Sequence, residues 1–394
     1  MTGRKLRLSK SVVGEAEAQA VGRVLREDGY LGMGREVEAF EEEVAQFLGV
    51  DRERVIAVNS GTAALHLAVQ AVVPPEAEVL VQSLTFVATF QAIRAAGAVP
   101  VPCEVSPETI TLDLADARRR LSPRTRAIMP VHYASYAGDL EGIYDLAREH
   151  GLRVIEDAAH AFGCTFKGRK IGSFGDLVCF SFDGIKNITC GEGGAVVTGD
   201  RQAAQRIRDA RLLGVERDTE KRFTGERSWE FEVRGPGYRY HLSNILAAIG
   251  RVQLKRFPKE FAPARVRLAR IYRSRLAATA EIKLLETDLD QVVPHIQPIR
   301  VLNGRRDELR RFLTEKGIET GIHYKPNHLL TYFGGGHGRL PMTDQLYGEL
   351  VSLPLHPDLS EADVHFVVDS ILEFFQGFQR EPVRGKKATA AKRI

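Results

Sequence analysis

The 394-residue chain is short of cysteine, methionine and tryptophan, with four, four and one of them. Cys103, Cys164, Cys179 and Cys190 stand far apart and form no CxxC pair. That argues against a disulfide framework or a thiolate zinc site and leaves buried packing thiols, Cys190 included, as the ordinary reading. No apolar run is long enough to cross a bilayer, and the start, MTGRKLRLSKSVVGEAE, puts no apolar stretch behind its basic residues. We therefore expect a cytoplasmic protein that uses no membrane. Among eleven histidines, His132, His160, His323 and His328 are scattered without HExxH spacing, so no metal is expected. Gly29, Gly32 and Gly34 follow no strand and make no dinucleotide fingerprint. A general basic field is missing too. The net charge is +4, but residues 380–394 alone hold six Lys or Arg against one Glu, leaving the body at −1. The tract ARRRLSPRTR (117–126) has no interleaved aromatics and reads as a solvated helix end, so nucleic acid is not an expected partner. The basic tail reads as a disordered, solubilising end.

What is present is ordinary globular material, 44% hydrophobic and 27% charged, in a chain long enough for two domains. REVEAFEEEVAQFLG reads as an amphipathic helix closed by Gly49. After it come a strand at 54–58, the helix TAALHLAVQAV, the strand EVLVQS, the helix TFVATFQAIRAAG and the strand VPVPCEV. RAIMPVHY is a strand, DLEGIYDLAREHG a helix, LRVIEDA and LVCFSF strands, and a further strand follows GlyGluGlyGly. Such alternation implies an α/β fold with a mostly parallel central sheet and helices on both faces. A helix from about 251 to 275 is expected to be interrupted near Pro258 and Pro263. Beyond it, HIQPIRVL, DELRRFLTEKG and a last helix from Glu361 to Phe378 suggest a smaller α+β domain. The expected division is a large domain over 1–250, a small one over 251–379 and the tail.

Ligands of such sheets bind beyond the carboxyl ends of the strands. After strand 54–58, AsnSerGlyThrAla opens a helix whose free N–H groups suit a phosphate, although an ordinary capped helix start looks the same. Asp157 ends another strand, where it serves a ribose, a metal, a ring nitrogen or simply a cap. Ser181 and Lys186 follow in CFSFDGIKNITCGEGGAVVT. A loop lysine is normally a surface residue; a Schiff-base lysine needs a held, partly desolvated position. The order of elements favours the second: helix start, aromatic, acid, hydroxyl and lysine on strand ends of one sheet.

In SGTAALHLAV, SLTFVAT, PRTRAIMPVHYAS, VIEDAAHAFG, GDLVCFSFDGIKNITCGEGGAVVT, RYHLSNILAAIG, GIHYKP and LPLHPDLS the chain resembles the DegT/DnrJ/EryC1/StrS sugar aminotransferases. The segments occur in family order over about residues 5 to 378. The resemblance implies aminotransferase fold type I, with pyridoxal 5'-phosphate held by Lys186, which also serves as general acid and base. It implies that Asp157 pairs with the pyridinium nitrogen, that His160 lies near the phenolic oxygen and that Phe86 stacks on the ring. Thr62, Ala63 and Ser181 match the phosphate cup. Tyr30, in the loop YLGMG, and His323 and Tyr324 match substrate-side positions.

Three positions depart from the family's usual pattern. Arg239 replaces the usual Asn that reaches the phosphate of a neighbouring subunit's cofactor, and His241 replaces an Arg; Gln82 stands where Pro is common. An arginine at 239 keeps a phosphate contact available, and bidentately. The lysine at 186 sets aside the dehydratase relatives, which carry His there. The implied reaction moves an amino group from L-glutamate to a nucleotide-linked keto-deoxysugar in a homodimer with shared sites. The GEGG sequence favours the C4 keto group over C3. Alternatives are an inositol-type ketone as acceptor, a non-catalytic regulator on the same fold, or a scaffold that uses the tail.

Overall fold

A computed structural model describes residues 5–215, 232–233, 235–334 and 338–379; the basic tail lies outside them. The apolar segments form β1 (Val55–Val58), β2 (Glu78–Gln82), β3 (Val99–Cys103), β4 (Thr125–Met129) and β5 (Arg153–Asp157). After a small hairpin, β6 (Thr165–Phe166) and β7 (Arg169–Lys170), come β8 (Leu177–Ser181) and β9 (Gly194–Thr198). Seven strands make one sheet in the order β1-β9-β8-β5-β4-β2-β3. Neighbours are parallel except β9, which runs antiparallel to both β1 and β8. β1, β2, β8 and β9 are buried along their whole length, as a sheet covered on both faces requires.

Helices α1 (Glu15–Arg23), α2 (Arg35–Leu48), α3 (Gly61–Val72), α4 (Val87–Ala95), α5 (Leu114–Arg119), α6 (Leu140–His150) and α7 (Arg201–Ala210) alternate with these strands. α2 illustrates the logic. It buries Val37, Phe40, Val44 and Leu48 on one face and ends where Gly49 adopts φ 76, donating to the Ala45 carbonyl at 2.8 Å. The interrupted helix is a continuous rod: α8 (Asn244–Arg256), a π turn at Phe257–Phe261, then α9 (Ala262–Leu276). Pro258, near the start of the π turn, and Pro263, in the first turn of α9, each remove one N–H from the ladder, and the wider π turn between α8 and α9 carries the rod past them.

A second sheet, β10 (Ile282–Leu284), β11 (Gln297–Val301) and β12 (Leu350–Leu353), packs with α10 (Arg306–Glu315), α12 (Glu361–Gln379) and α9 around its own core. Helix α11 (Pro341–Glu349) leads into β12. Leu6 joins this core, its N–H donating to the Gly317 carbonyl at 2.9 Å, so the segment at Leu6 crosses over to it. Position 250, where the sequence reading divides the chain, falls inside α8. All four cysteines are buried. Among the described residues no helix is long and apolar enough to cross a membrane, and no three His, Cys, Asp or Glu side chains group to hold a metal.

Candidate active site

Strands β1, β5 and β8 bring their carboxyl ends to one edge. At the end of β1, Ser60 caps α3 by accepting from the Ala63 N–H at 3.1 Å. The N–H groups of Gly61 and Thr62 belong to the first turn, which has no intrahelical acceptors for them. Two close approaches shape this corner. A Cβ on Gly61 would meet Ser181 Cβ at 2.7 Å, and one on Gly194 would meet the Ser60 carbonyl oxygen at 2.5 Å. Only glycine lets the helix start settle against β8 and β9, which places the Ser181 hydroxyl beside the α3 N-terminus. Thr62 is exposed and Ala63 buried.

At the end of β5, Asp157 is 4% exposed. One carboxyl oxygen accepts from Thr89 Oγ1 at 2.8 Å, the other from the Ala159 N–H at 3.2 Å. Burial pushes its pKa up, against the two hydrogen bonds and then the charges of Lys186 and His132. A buried carboxylate that carries only these compensations is further stabilised by a cation.

Lys186 lies in the loop after β8, half-buried. Its N–H donates to the Asp183 carbonyl at 3.0 Å, and next to it Asn187 spans the Phe162 and Val293 carbonyls at 3.1 and 3.0 Å. Desolvation pushes the lysine pKa down, with the Arg265 charge adding to it, while Asp157 and Asp183 oppose it. This is the held, partly desolvated amine that nucleophilic chemistry needs.

The rest of the wall is aromatic. His160 Nε2 and Tyr324 Oη are 3.0 Å apart, and the His160 Nδ1 is buried without a partner. Phe86, at the N-terminus of α4, is 54% exposed with its ring 5.4 Å from that of Tyr324. Asn327 fixes the preceding loop through the Ser83 and Thr85 carbonyls at 3.1 and 2.9 Å. His323 Nδ1 lies 2.7 Å from Ser352 Oγ, and Tyr133 donates to the His323 carbonyl. Burial and the Lys186 charge hold the His160 pKa well below the usual imidazole range and bring that of His323 down to about 4. Near neutral pH both rings therefore act as hydrogen-bonding groups rather than cations.

The remaining expected residues sit at the surface. Tyr30 is 51% exposed; its carbonyl accepts from Asn244 Nδ2 at 2.8 Å, and its ring lies against Gly34. Arg239 is exposed, its backbone bridged to Leu212 and its carbonyl accepting from Asn59 Nδ2 at 3.1 Å, one residue before the Ser60 cap. Several contributors went unassigned in the sequence. Thr89, Ser135 and Asn244 lay within the recognised segments, and His295 reaches the site only through the fold. Thr89 is a fully buried hydroxyl on α4, three residues after Phe86.

These groups fit pyridoxal phosphate. The α3 N-terminus with the Ser181 hydroxyl suits a phosphate, buried Asp157 a ring N–H, the unpartnered His160 Nδ1 a ring oxygen, and Lys186 an aldehyde. Residues 12–372 match the model of the DegT/DnrJ/EryC1/StrS aminotransferase family. The chain is 35% identical over 383 residues to the spore coat polysaccharide biosynthesis protein SpsC of Bacillus subtilis, covering 94% of this chain and 97% of SpsC. It superposes on the sugar aminotransferase CalS13 of Micromonospora echinospora with TM-score 0.85 at 32% identity, covering 93% of this chain and 99% of CalS13. It also superposes on Spr1654 of Streptococcus pneumoniae in its PLP form with TM-score 0.86 at 25% identity, covering 95% and 99%. On this footing the chain belongs to the DegT/DnrJ/EryC1/StrS aminotransferase family and is a pyridoxal-phosphate-dependent transaminase of fold type I.

Proposed function

We propose that the protein moves an amino group from L-glutamate to a nucleotide-linked keto-deoxysugar, with the C4 keto group favoured. The observation that carries the reading is the meeting of Lys186, with its depressed pKa, and buried Asp157 at the edge of one sheet, beside the α3 N-terminus. Bound there, pyridoxal phosphate supplies an electrophilic carbonyl and an electron-withdrawing ring that renders the α-hydrogen of an attached amine acidic. Lys186 anchors the cofactor. The same amine would take the proton from the α-carbon of glutamate and return one to the sugar carbon that receives nitrogen. Asp157 holds a proton on the ring nitrogen, and Thr89 and Ala159 keep its carboxylate in place. His160 donates to the phenolic oxygen, Phe86 covers the ring, and Thr62, Ala63 and Ser181 bind the phosphate.

Tyr30, His323 and Tyr324 are assigned to the substrate side. Arg239 is assigned to the cofactor phosphate of a second subunit in a homodimer; its exposure and its place beside Asn59 support that reading. The second core, with Leu6 added, is read as the small domain expected over 251–379. A sugar acceptor is supported by the likeness to SpsC and CalS13. The test offers the holoenzyme L-glutamate with a panel of nucleotide-linked 3-keto and 4-keto sugars and keto-inositols, and follows the aminated product by mass. An aminated 4-keto sugar nucleotide is expected. Amination of a keto-inositol alone would replace the sugar reading.

A further inference from the structure

Two consecutive non-glycine residues, Ala134 and Ser135, adopt left-handed φ values of 50 and 77. Such values are uncommon for residues with a Cβ and persist only where the surroundings enforce them. This turn places one buried hydroxyl. Ser135 Oγ donates to the His160 carbonyl at 2.5 Å and accepts from the His295 N–H at 2.9 Å. The two imidazoles then lie with centroids 4.4 Å apart, tilted by 48°. His295 is 4% exposed and its Nδ1 has no partner. Its carbonyl is held in turn at 3.0 Å by Arg265, a guanidinium 2% exposed, which also reaches the Pro294 and Leu355 carbonyls at 3.3 and 3.4 Å. His295 belongs to the segment entering β11, more than a hundred residues from His160. A single serine therefore fastens the backbones of both histidines, and Tyr324 Oη holds the far nitrogen of His160.

We propose that His295, set by Ser135, is a positioning residue whose imidazole fixes the plane of the His160 ring, so that its free Nδ1 is presented to the phenolic oxygen of the cofactor. The inference rests on the assignment of pyridoxal phosphate to Lys186 and adds the residue that aims His160. Burial holds the His295 pKa well below the usual imidazole range, so its ring packs on His160 without a repelling charge. The expected effect is one of aim, to which rates in a preorganised site respond steeply.

The test compares wild type, His295→Ala and His295→Phe as holoenzymes. It reads the absorption maximum of the bound cofactor, the pyridoxal-phosphate dissociation constant, kcat and KM for L-glutamate, and thermal melting. His295→Ala is expected to move the absorption maximum, weaken cofactor binding about tenfold and lower kcat about tenfold, with KM changed less. His295→Phe, which restores a flat ring, is expected to return all three to within about threefold of wild type. An unchanged absorption maximum and cofactor affinity in His295→Ala would overturn the proposal. So would a folded His295→Phe that fails to restore them. A wild type that binds no pyridoxal phosphate at Lys186 would instead remove the reading beneath it.

Discussion

Replacing Asp157 by Asn keeps the shape of the side chain and removes its charge. The local structure can absorb the change. The Ala159 N–H still has an amide oxygen to donate to, and the Thr89 hydroxyl, which also lies 3.0 Å from Thr85 Oγ1, can turn to accept from the new NH2 group. Folding should therefore survive. The cofactor contact changes from charge-assisted to neutral, a loss of about 1–2 kcal/mol, so binding weakens roughly five- to thirtyfold. Proton retention on the ring suffers more. A unit pair in contact at an effective dielectric of about 20 is worth about 4 kcal/mol, which sets the fall in kcat at about a thousandfold. The assay is the loss of cofactor absorbance on adding L-glutamate to a variant saturated with pyridoxal phosphate, beside a cofactor titration and a melt. Turnover within about threefold of wild type in saturated, folded Asp157→Asn would refute the reasoning.

Further expectations concern the cup and the pH response. In Gly194→Ala the added methyl meets the Ser60 carbonyl at 2.5 Å and the Gly61 nitrogen at 2.8 Å, both backbone atoms. Overpacking of this kind costs about 1–3 kcal/mol, and cofactor affinity should fall about tenfold or more; an unchanged titration would deny that this corner binds phosphate. His323 and His356 titrate at about 4 in the folded chain against a reference of 6.5. The unfolded chain thus binds more protons between these values. Their contribution to stability is full above pH 6.5 and is lost as pH falls toward 4, by at most roughly 3 kcal/mol each. Buried Asp157, with its raised pKa, works in the opposite direction. Urea unfolding at pH 7 and pH 5 should show the loss, and His356→Gln should reduce it; equal stabilities at both pH values would count against buried neutral histidines.

Local signals carried much of the architecture. The 3.6-residue pattern of α2 and its stop at Gly49, the buried runs of β1 and β8, and the order of strand-end residues all rest on neighbours close in sequence. Strand β9, antiparallel to both its neighbours in the large sheet, is legible as a strand but not in direction, since direction depends on how the chain returns from the Lys186 loop. Pro258 was read as a break because proline disrupts an α register, yet a wider π turn carries the rod through it. The catalytic residues proposed from the segments converge, whereas the groups that orient them were silent. Thr89 is 68 residues from Asp157, and Ser135 meets His295 across 160 residues. No periodicity encodes such pairings; they follow from the sheet order and from the docking of the segment before β11 onto the Ser135 turn.

The most direct test of the central claim is reduction of the pyridoxal-phosphate-loaded protein with borohydride, followed by digestion and mass spectrometry of the lysine peptides. The account predicts a phosphopyridoxyl group on Lys186 and on no other lysine, lost in Lys186→Ala while the fold is retained. A label on a different lysine, or Lys186 left unmodified in fully loaded protein, would contradict it.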